Sequence, residues 1–238
     1  LEKSKWTWAQ CLNAAELVAE LNSIDSSDFE DYDWLCRSIV SGWAEFNPTV
    51  VTPQLENYTN VAKSTSQRAA AFEVWGPFMN RHDFIGGLVD GGRRCFVHGD
   101  YNLNNLVPVL DGPTTLIALD WQLCGVGRVG MEVAAIFNTA HELGVIGSSR
   151  DRFEEICRVY TGRFNELNPT NPILLDEVRL AAAAQGYFIL LGVSFFFSGP
   201  EPDKTDAENL AKVEGAIDSI TNGPMMIYSA VLHELTNE

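Results

Sequence analysis

A chain of 238 residues with 46% hydrophobic side chains can bury a sizeable core, and sixteen basic against thirty-two acidic residues leave it with a net charge of −16. That balance argues against nucleic acid and anionic membrane as partners, since both attract basic surfaces, and suits a cationic ligand or plain solubility. The five cysteines, Cys11, Cys36, Cys95, Cys124 and Cys157, form no C-x-x-C pair, so reduced thiols in the cytoplasm are expected rather than disulfides or zinc.

The opening LEKSKWTWAQ lacks a signal-peptide core and starts on leucine, which suggests a chain cut from something longer. Residues 11–21, CLNAAELVAEL, place Leu12, Ala15, Leu17, Val18 and Leu21 at helical spacing. A second helix is expected over residues 29–46, with Trp34, Leu35, Ile39, Trp43 and Phe46 near one face. Between the two lies DSSDFEDYD, whose aspartates read as a solvated helix start; drawing in a cationic substrate is the alternative reading. Residues 57–79 read as a further helix broken near Gly76 and Pro77, and Gly86-Gly87 and Gly91-Gly92 read as loops.

The character then changes. From Cys95 to Trp121 the pattern is strand, loop, strand, turn, strand, after which MEVAAIFNTAHEL and RDRFEEICRVYTGRFNEL return to helical periodicity. The run LAAAAQGYFILLGVSFFF, residues 180–197, approaches the length of a membrane span. Gln185, Gly186, Gly192 and Ser194 interrupt it and no basic cluster flanks it, so a buried core helix is expected and no membrane partner. DAENLAKVEGAIDSITN adds another helical segment. The fold class is therefore mainly α with a small β-hairpin (α+β), one unit over 1–238: helical 1–94, a catalytic loop and hairpin over 95–121, and helical 122–238.

The chemistry concentrates in VHGDYNLNNLVPVLDGPTTLIALDW, residues 97–121. D-G-P-T is a turn signal between two β-rich runs, and a hairpin centred between Gly112 and Pro113 pairs positions summing to about 225, which sets Asn105 opposite Asp120. An amide oxygen and a carboxylate at that separation suit Mg²⁺, a hard ion that prefers oxygen ligands. Asp100, in a loop opened by Gly99, is placed to orient a hydroxyl and accept its proton. The glycines of GVGRVG, Gly125, Gly127 and Gly130, also spell a dinucleotide-binding turn, with Asp151 near the distance of the required acidic residue. The segment before Asp151, GVIGSSR, is too short and glycine-rich for a core strand, so the glycines read as a loop leading into the helix near Met131.

The order H-x-D-x-x-x-x-N, hairpin, D-W over residues 98–121 closely resembles the catalytic segment of the aminoglycoside phosphotransferase and choline kinase-like family, whose fold is that of the protein kinases. The resemblance is strongest over residues 95–138. It implies Asp100 as the catalytic aspartate, Asn105 and Asp120 as Mg²⁺ ligands, His98 as a brace for the loop, ATP as co-substrate and a small-molecule hydroxyl as acceptor. An acidic cleft would favour an amine-bearing acceptor such as an aminoglycoside or choline. Two positions depart from the family's pattern: Glu132 stands where an aspartate holds the catalytic loop, and Asn22 where a histidine ends the helix after the interlobe hinge.

The smaller lobe that would cover the phosphates and supply a lysine is not recognisable, because Lys3 and Lys5 lack a β-rich setting. The expectation is a large C-terminal lobe lacking the N-terminal lobe, a poor catalyst unless that lobe is supplied by a longer chain or a partner. Two other readings compete with it: a one-lobed pseudokinase acting as a binding module, and an enzyme using the metal as a Lewis acid in a non-kinase biosynthetic reaction.

Overall fold

The structure, a computed structural model, describes residues 6–24, 32, 34–36, 81–109, 116–147, 149–197, 205, 207–208, 211, 215 and 221–237. The helix expected over 57–79, the turn over 111–114, Lys3 and Lys5 lie outside them, as do most of the acidic stretch at 25–33 and of the helical segment beginning at 206. Of the helix expected over 29–46, residues 32 and 34–36 are described, and there Cys36 forms a parallel bridge to Gly125 rather than a helical turn.

Helix α1, Trp8–Asn22, begins at a capping box: Gln10 N–H donates to Thr7 Oγ1 at 3.3 Å while Thr7 N–H donates to Gln10 Oε1 at 2.9 Å. Its small buried face, Cys11, Ala14, Ala15, Val18 and Ala19, lets it lie closely against the later helix Arg150–Leu167. Helix α2, His82–Asp90, contains Gly86 and Gly87, which the glycine pair alone would place in a loop. The apolar residues Ile85 and Val89, four apart and buried, outweigh the glycine penalty of roughly 1 kcal/mol each. Arginines satisfy its last carbonyls: Arg94 Nη1 donates to Asp90 O at 2.9 Å and Arg128 Nη1 to Leu88 O.

Four short strands follow. β1 (Arg94–Val97) pairs antiparallel with β4 (Gly125–Arg128), and β2 (Leu106–Pro108) pairs antiparallel with β3 (Leu116–Ala118). β4 corrects a second expectation, for its glycines form a strand rather than a loop. A Cβ at Gly125 would fall 1.9 Å from Cys36 O, and one at Gly127 would fall 2.7 Å from Met131 Sδ and 2.9 Å from Val97. Glycine is required there because neighbours approach the backbone.

The remaining helices are α3 (Val133–Glu142), α4 (Arg150–Leu167), α5 (Leu175–Phe197) and α6 (Met226–Thr236). Phe137 on α3, Phe153 on α4 and Tyr228 on α6 pack edge to face, with centroids 5.4 to 6.1 Å apart. α5 enters this core through buried Ala181 to Ala184, and Gly186 faces the Tyr228 ring so closely that a Cβ would lie 2.3 Å from it. Its neighbours on one side are charged. Arg179 donates to Asp176, Glu154 and Glu234, tying α5 to α4 and α6. Among the described residues no helix is long and apolar enough to cross a membrane.

The described residues are thus mainly helical with two small antiparallel sheets, and both sheets serve residues 98–120.

Candidate active site

β1 ends at Val97, and the next residues leave the sheet. His98 is fully buried and both ring nitrogens are engaged: Asp100 N–H donates to Nδ1 at 3.3 Å, and Nε2 lies 2.8 Å from Leu119 O. A backbone N–H can only donate and a carbonyl can only accept, so the ring is neutral with its proton on Nε2. Burial lowers its pKa from the usual 6.5, against the backbone bond to Leu119 and the charges of Asp100 and Asp120. Trp121 covers the ring at a centroid distance of 4.4 Å. The histidine therefore braces the loop against the end of β3 and has no nitrogen left for proton transfer.

Gly99 adopts φ +86°, with its missing Cβ directed at Leu123 O only 2.1 Å away, so both conformation and space demand glycine. Asp100 follows, half-buried. Its Oδ1 accepts from Asn102 Nδ2 at 2.7 Å and its Oδ2 from Asn105 Nδ2 at 2.8 Å. Asn102 also caps the 3₁₀ turn Leu103–Asn105, which returns the chain toward the aspartate. Sequence reasoning missed Asn102; an asparagine two residues after a loop aspartate was the available signal.

Asn105 donates through Nδ2 to the carboxylate and to the backbone oxygen of Asp100, 3.0 Å away, which fixes the amide's orientation. Its Oδ1 has no partner among the described residues. The register at Asn105 differs by one from the expected pairing. Leu106, Val107 and Pro108 face Ala118, Ile117 and Leu116, and Leu119 N–H donates to Asn105 O at 2.8 Å, so paired positions sum to 224 and Asn105 faces Leu119 rather than Asp120. In a regular strand that slip would turn Asp120 to the opposite face. Here Asp120 leaves the strand with φ 58° and ψ 69°, a left-handed conformation that aspartate tolerates better than most residues. Its carboxylate is exposed and makes no hydrogen bond among the described residues.

Glu132, the residue before α3, is buried and holds the loop from beneath. Oε1 accepts from Gly99 N–H at 2.9 Å and Oε2 from Asn22 Nδ2 at 3.0 Å. Burial raises its pKa from 4.5 to about 7, opposed by the Asn22 side chain and by the backbone of Gly99 and His98. The extra methylene relative to aspartate therefore does not cost the contact with the loop.

His98, Asp100 and Asn105 are joined by direct hydrogen bonds, Glu132 through Gly99, and Asp120 as the neighbour of Leu119, which both His98 and Asn105 hold. The donor set fits a magnesium ion in kind: an amide oxygen without a protein partner among the described residues and an exposed carboxylate, both hard oxygen donors. Among the described residues no group of three or more His, Cys, Asp or Glu side chains is placed to hold a metal. Beside the set, Val107, Ile117 and Leu119 present an exposed apolar strip, since Val107 and Ile117 pair directly and Leu119 shares their face.

Neither a family model nor a curated protein sequence matches the chain. A solved structure from Ralstonia eutropha JMP134, of a protein provisionally named an aminoglycoside phosphotransferase, is similar over 95% of this chain and 68% of its own, at 16% identity and a TM-score of 0.45. At that identity and score the likeness assigns neither a family nor a fold.

Proposed function

We propose that this chain is the large lobe of a kinase-like phosphotransferase that moves the γ-phosphoryl of ATP to a hydroxyl of a small molecule. One observation carries the reading: Asn105 is locked to Asp100 through its amide nitrogen, which leaves its amide oxygen without a partner among the described residues, and Asp120, one residue past Asn105's backbone partner Leu119, offers an exposed carboxylate. Asp100 has two oxygens, each accepting one asparagine donor, and keeps lone pairs with which to orient an acceptor hydroxyl and take its proton. Asn105 and Asp120 would hold Mg²⁺, which supplies neutralisation of phosphate charge when bound. His98 and Glu132 position the loop.

The exposed strip of Val107, Ile117 and Leu119 suits the flat apolar face of an adenine ring. In this reading a smaller lobe, on a longer chain or a partner, covers that strip and the phosphates. The net charge of −16 favours an amine-bearing acceptor.

The test is thermal unfolding with and without Mg²⁺ and ATP, on the wild-type chain and on Asp120→Asn. Ligand at about a hundred times its dissociation constant adds roughly 2.7 kcal/mol, a shift of several degrees for a chain of this size. A Mg²⁺-dependent shift that disappears in Asp120→Asn supports the reading. A wild-type shift that survives the substitution, or none even with the upstream lobe supplied, refutes it.

A further inference from the structure

The sequence singled out Asn22 only as a departure from a pattern, and Tyr160 not at all. In the structure the two are buried together beneath the catalytic loop. Gly130 N–H donates to Tyr160 Oη at 3.0 Å, and Tyr160 donates its single proton to Asn22 Oδ1 at 2.7 Å. Asn22 Nδ2 then donates to Glu132 Oε2 at 3.0 Å and to Phe96 O at 2.8 Å, while Glu132 Oε1 receives Gly99 N–H. Every donor direction is forced. Gly130 N–H and Gly99 N–H can only donate and Phe96 O can only accept, which fixes the tyrosine proton and the asparagine amide without further choice.

The chain of bonds links α4, the end of α1, the residue before α3 and the loop after β1, joining residues 138, 110 and 33 positions apart. We propose that Tyr160 is a positioning residue for the catalytic loop, acting through Asn22 and Glu132 on the backbone of Gly99 and so on Asp100. The proposal rests on the phosphotransferase reading for the chemistry that Asp100 performs, and on the hydrogen-bond chain alone for the positioning.

The physical argument is one of satisfaction. Without the tyrosine hydroxyl, Asn22 Oδ1 is a buried acceptor with no donor, an unfavourable state for a polar atom away from water. The amide relieves it by rotating, and rotation withdraws Nδ2 from Glu132. The carboxylate, left with fewer donors, loses its fixed orientation toward Gly99. The ring of Tyr160 stacks on Phe164 with centroids 6.0 Å apart, so phenylalanine keeps the packing and removes only the hydroxyl.

The experiment is amide hydrogen exchange by NMR on the full chain, comparing wild type with Tyr160→Phe and with Asn22→Leu. Gly99 N–H reports its bond to Glu132 directly, and Asp100 N–H reports the next link; Ala182 on α5 and Cys157 on α4 serve as core references. Exchange at Gly99 and Asp100 about tenfold faster in both variants, with the references unchanged, is the expected result. Uniform acceleration across loop and core, or an unchanged Gly99, overturns the proposal and leaves Tyr160 as packing. The outcome does not depend on nucleotide. Loss of the phosphotransferase reading is registered separately, by absence of Mg²⁺- and ATP-dependent stabilisation in the wild-type protein even with the smaller lobe supplied.

Discussion

Replacing Glu132 by glutamine tests the electrostatics beneath the loop. Its carboxyl is buried and titrates at about 7 rather than 4.5, burial being the largest cause. Between those values the folded chain holds a proton that the unfolded chain releases, so the group's contribution is fully present below about pH 4.5 and is lost as pH rises through 7. The loss is on the order of 3 kcal/mol, from about 1.36 kcal/mol per pH unit. Glutamine has the shape of the protonated acid and does not titrate. Urea unfolding of both proteins from about pH 4.5 to about pH 8.5 should give a difference in stability that moves in the variant's favour by on the order of 3 kcal/mol from the acid to the alkaline end. The lowered titration of His98 acts in the opposite sense, reducing stability as pH falls below 6.5, but it is common to both proteins and cancels in the difference. A difference that is flat across the range would sink the reasoning. A pH-independent cost to the variant is superimposed, since an amide offers one acceptor where the carboxylate offers two to Gly99 and Asn22.

Three further substitutions have defined outcomes. Gly162 lies inside α4 with nothing within 4 Å of the point a Cβ would occupy, so Gly162→Ala raises stability by roughly 0.5–1 kcal/mol in urea unfolding; a decrease would show that the helix needs glycine there. Arg179 is nearly buried among Glu154, Asp176 and Glu234, so Arg179→Met lowers stability by about 2 kcal/mol, less than for a fully buried pair because Asp176 and Glu234 are exposed, and Glu154→Gln added to it restores part of the loss in calorimetry. Gly99→Ala meets both a left-handed backbone and the Leu123 carbonyl, so it costs more than about 2 kcal/mol and abolishes the Mg²⁺- and ATP-dependent shift; an unaffected shift would mean the loop tolerates displacement.

Local chemistry was legible in the sequence where periodicity or a turn signal reported it. The helix α1 follows from the periodicity, but its buried face only in part: Ala15 and Val18 are buried and Leu12 packs against them, while Leu17 and Leu21 stay half-buried and Cys11, Ala14 and Ala19 complete the face; the hairpin follows from two β-rich runs around D-G-P-T. The helix at Gly86-Gly87 and the strand at Gly125–Arg128 were not legible, because glycine marks either conformational freedom or a close neighbour, and the neighbours here, Cys36 and Met131, are known only once the chain is folded. The hairpin register was missed by one residue for a related reason. At the site end it is held by the bond from Leu119 N–H to Asn105 O, which no local sequence signal reports. Tyr160 carried no signal at all, since its partner Asn22 is 138 residues away.

That anchoring of the hairpin has a consequence for engineering. His98 and Asn105 grip Leu119 from two sides, so the geometry of Asp120 follows from contacts made at residues 98 and 105. The site can then be disturbed from a distance: a substitution at His98 releases one of the two holds on Leu119 and displaces Asp120 without touching it.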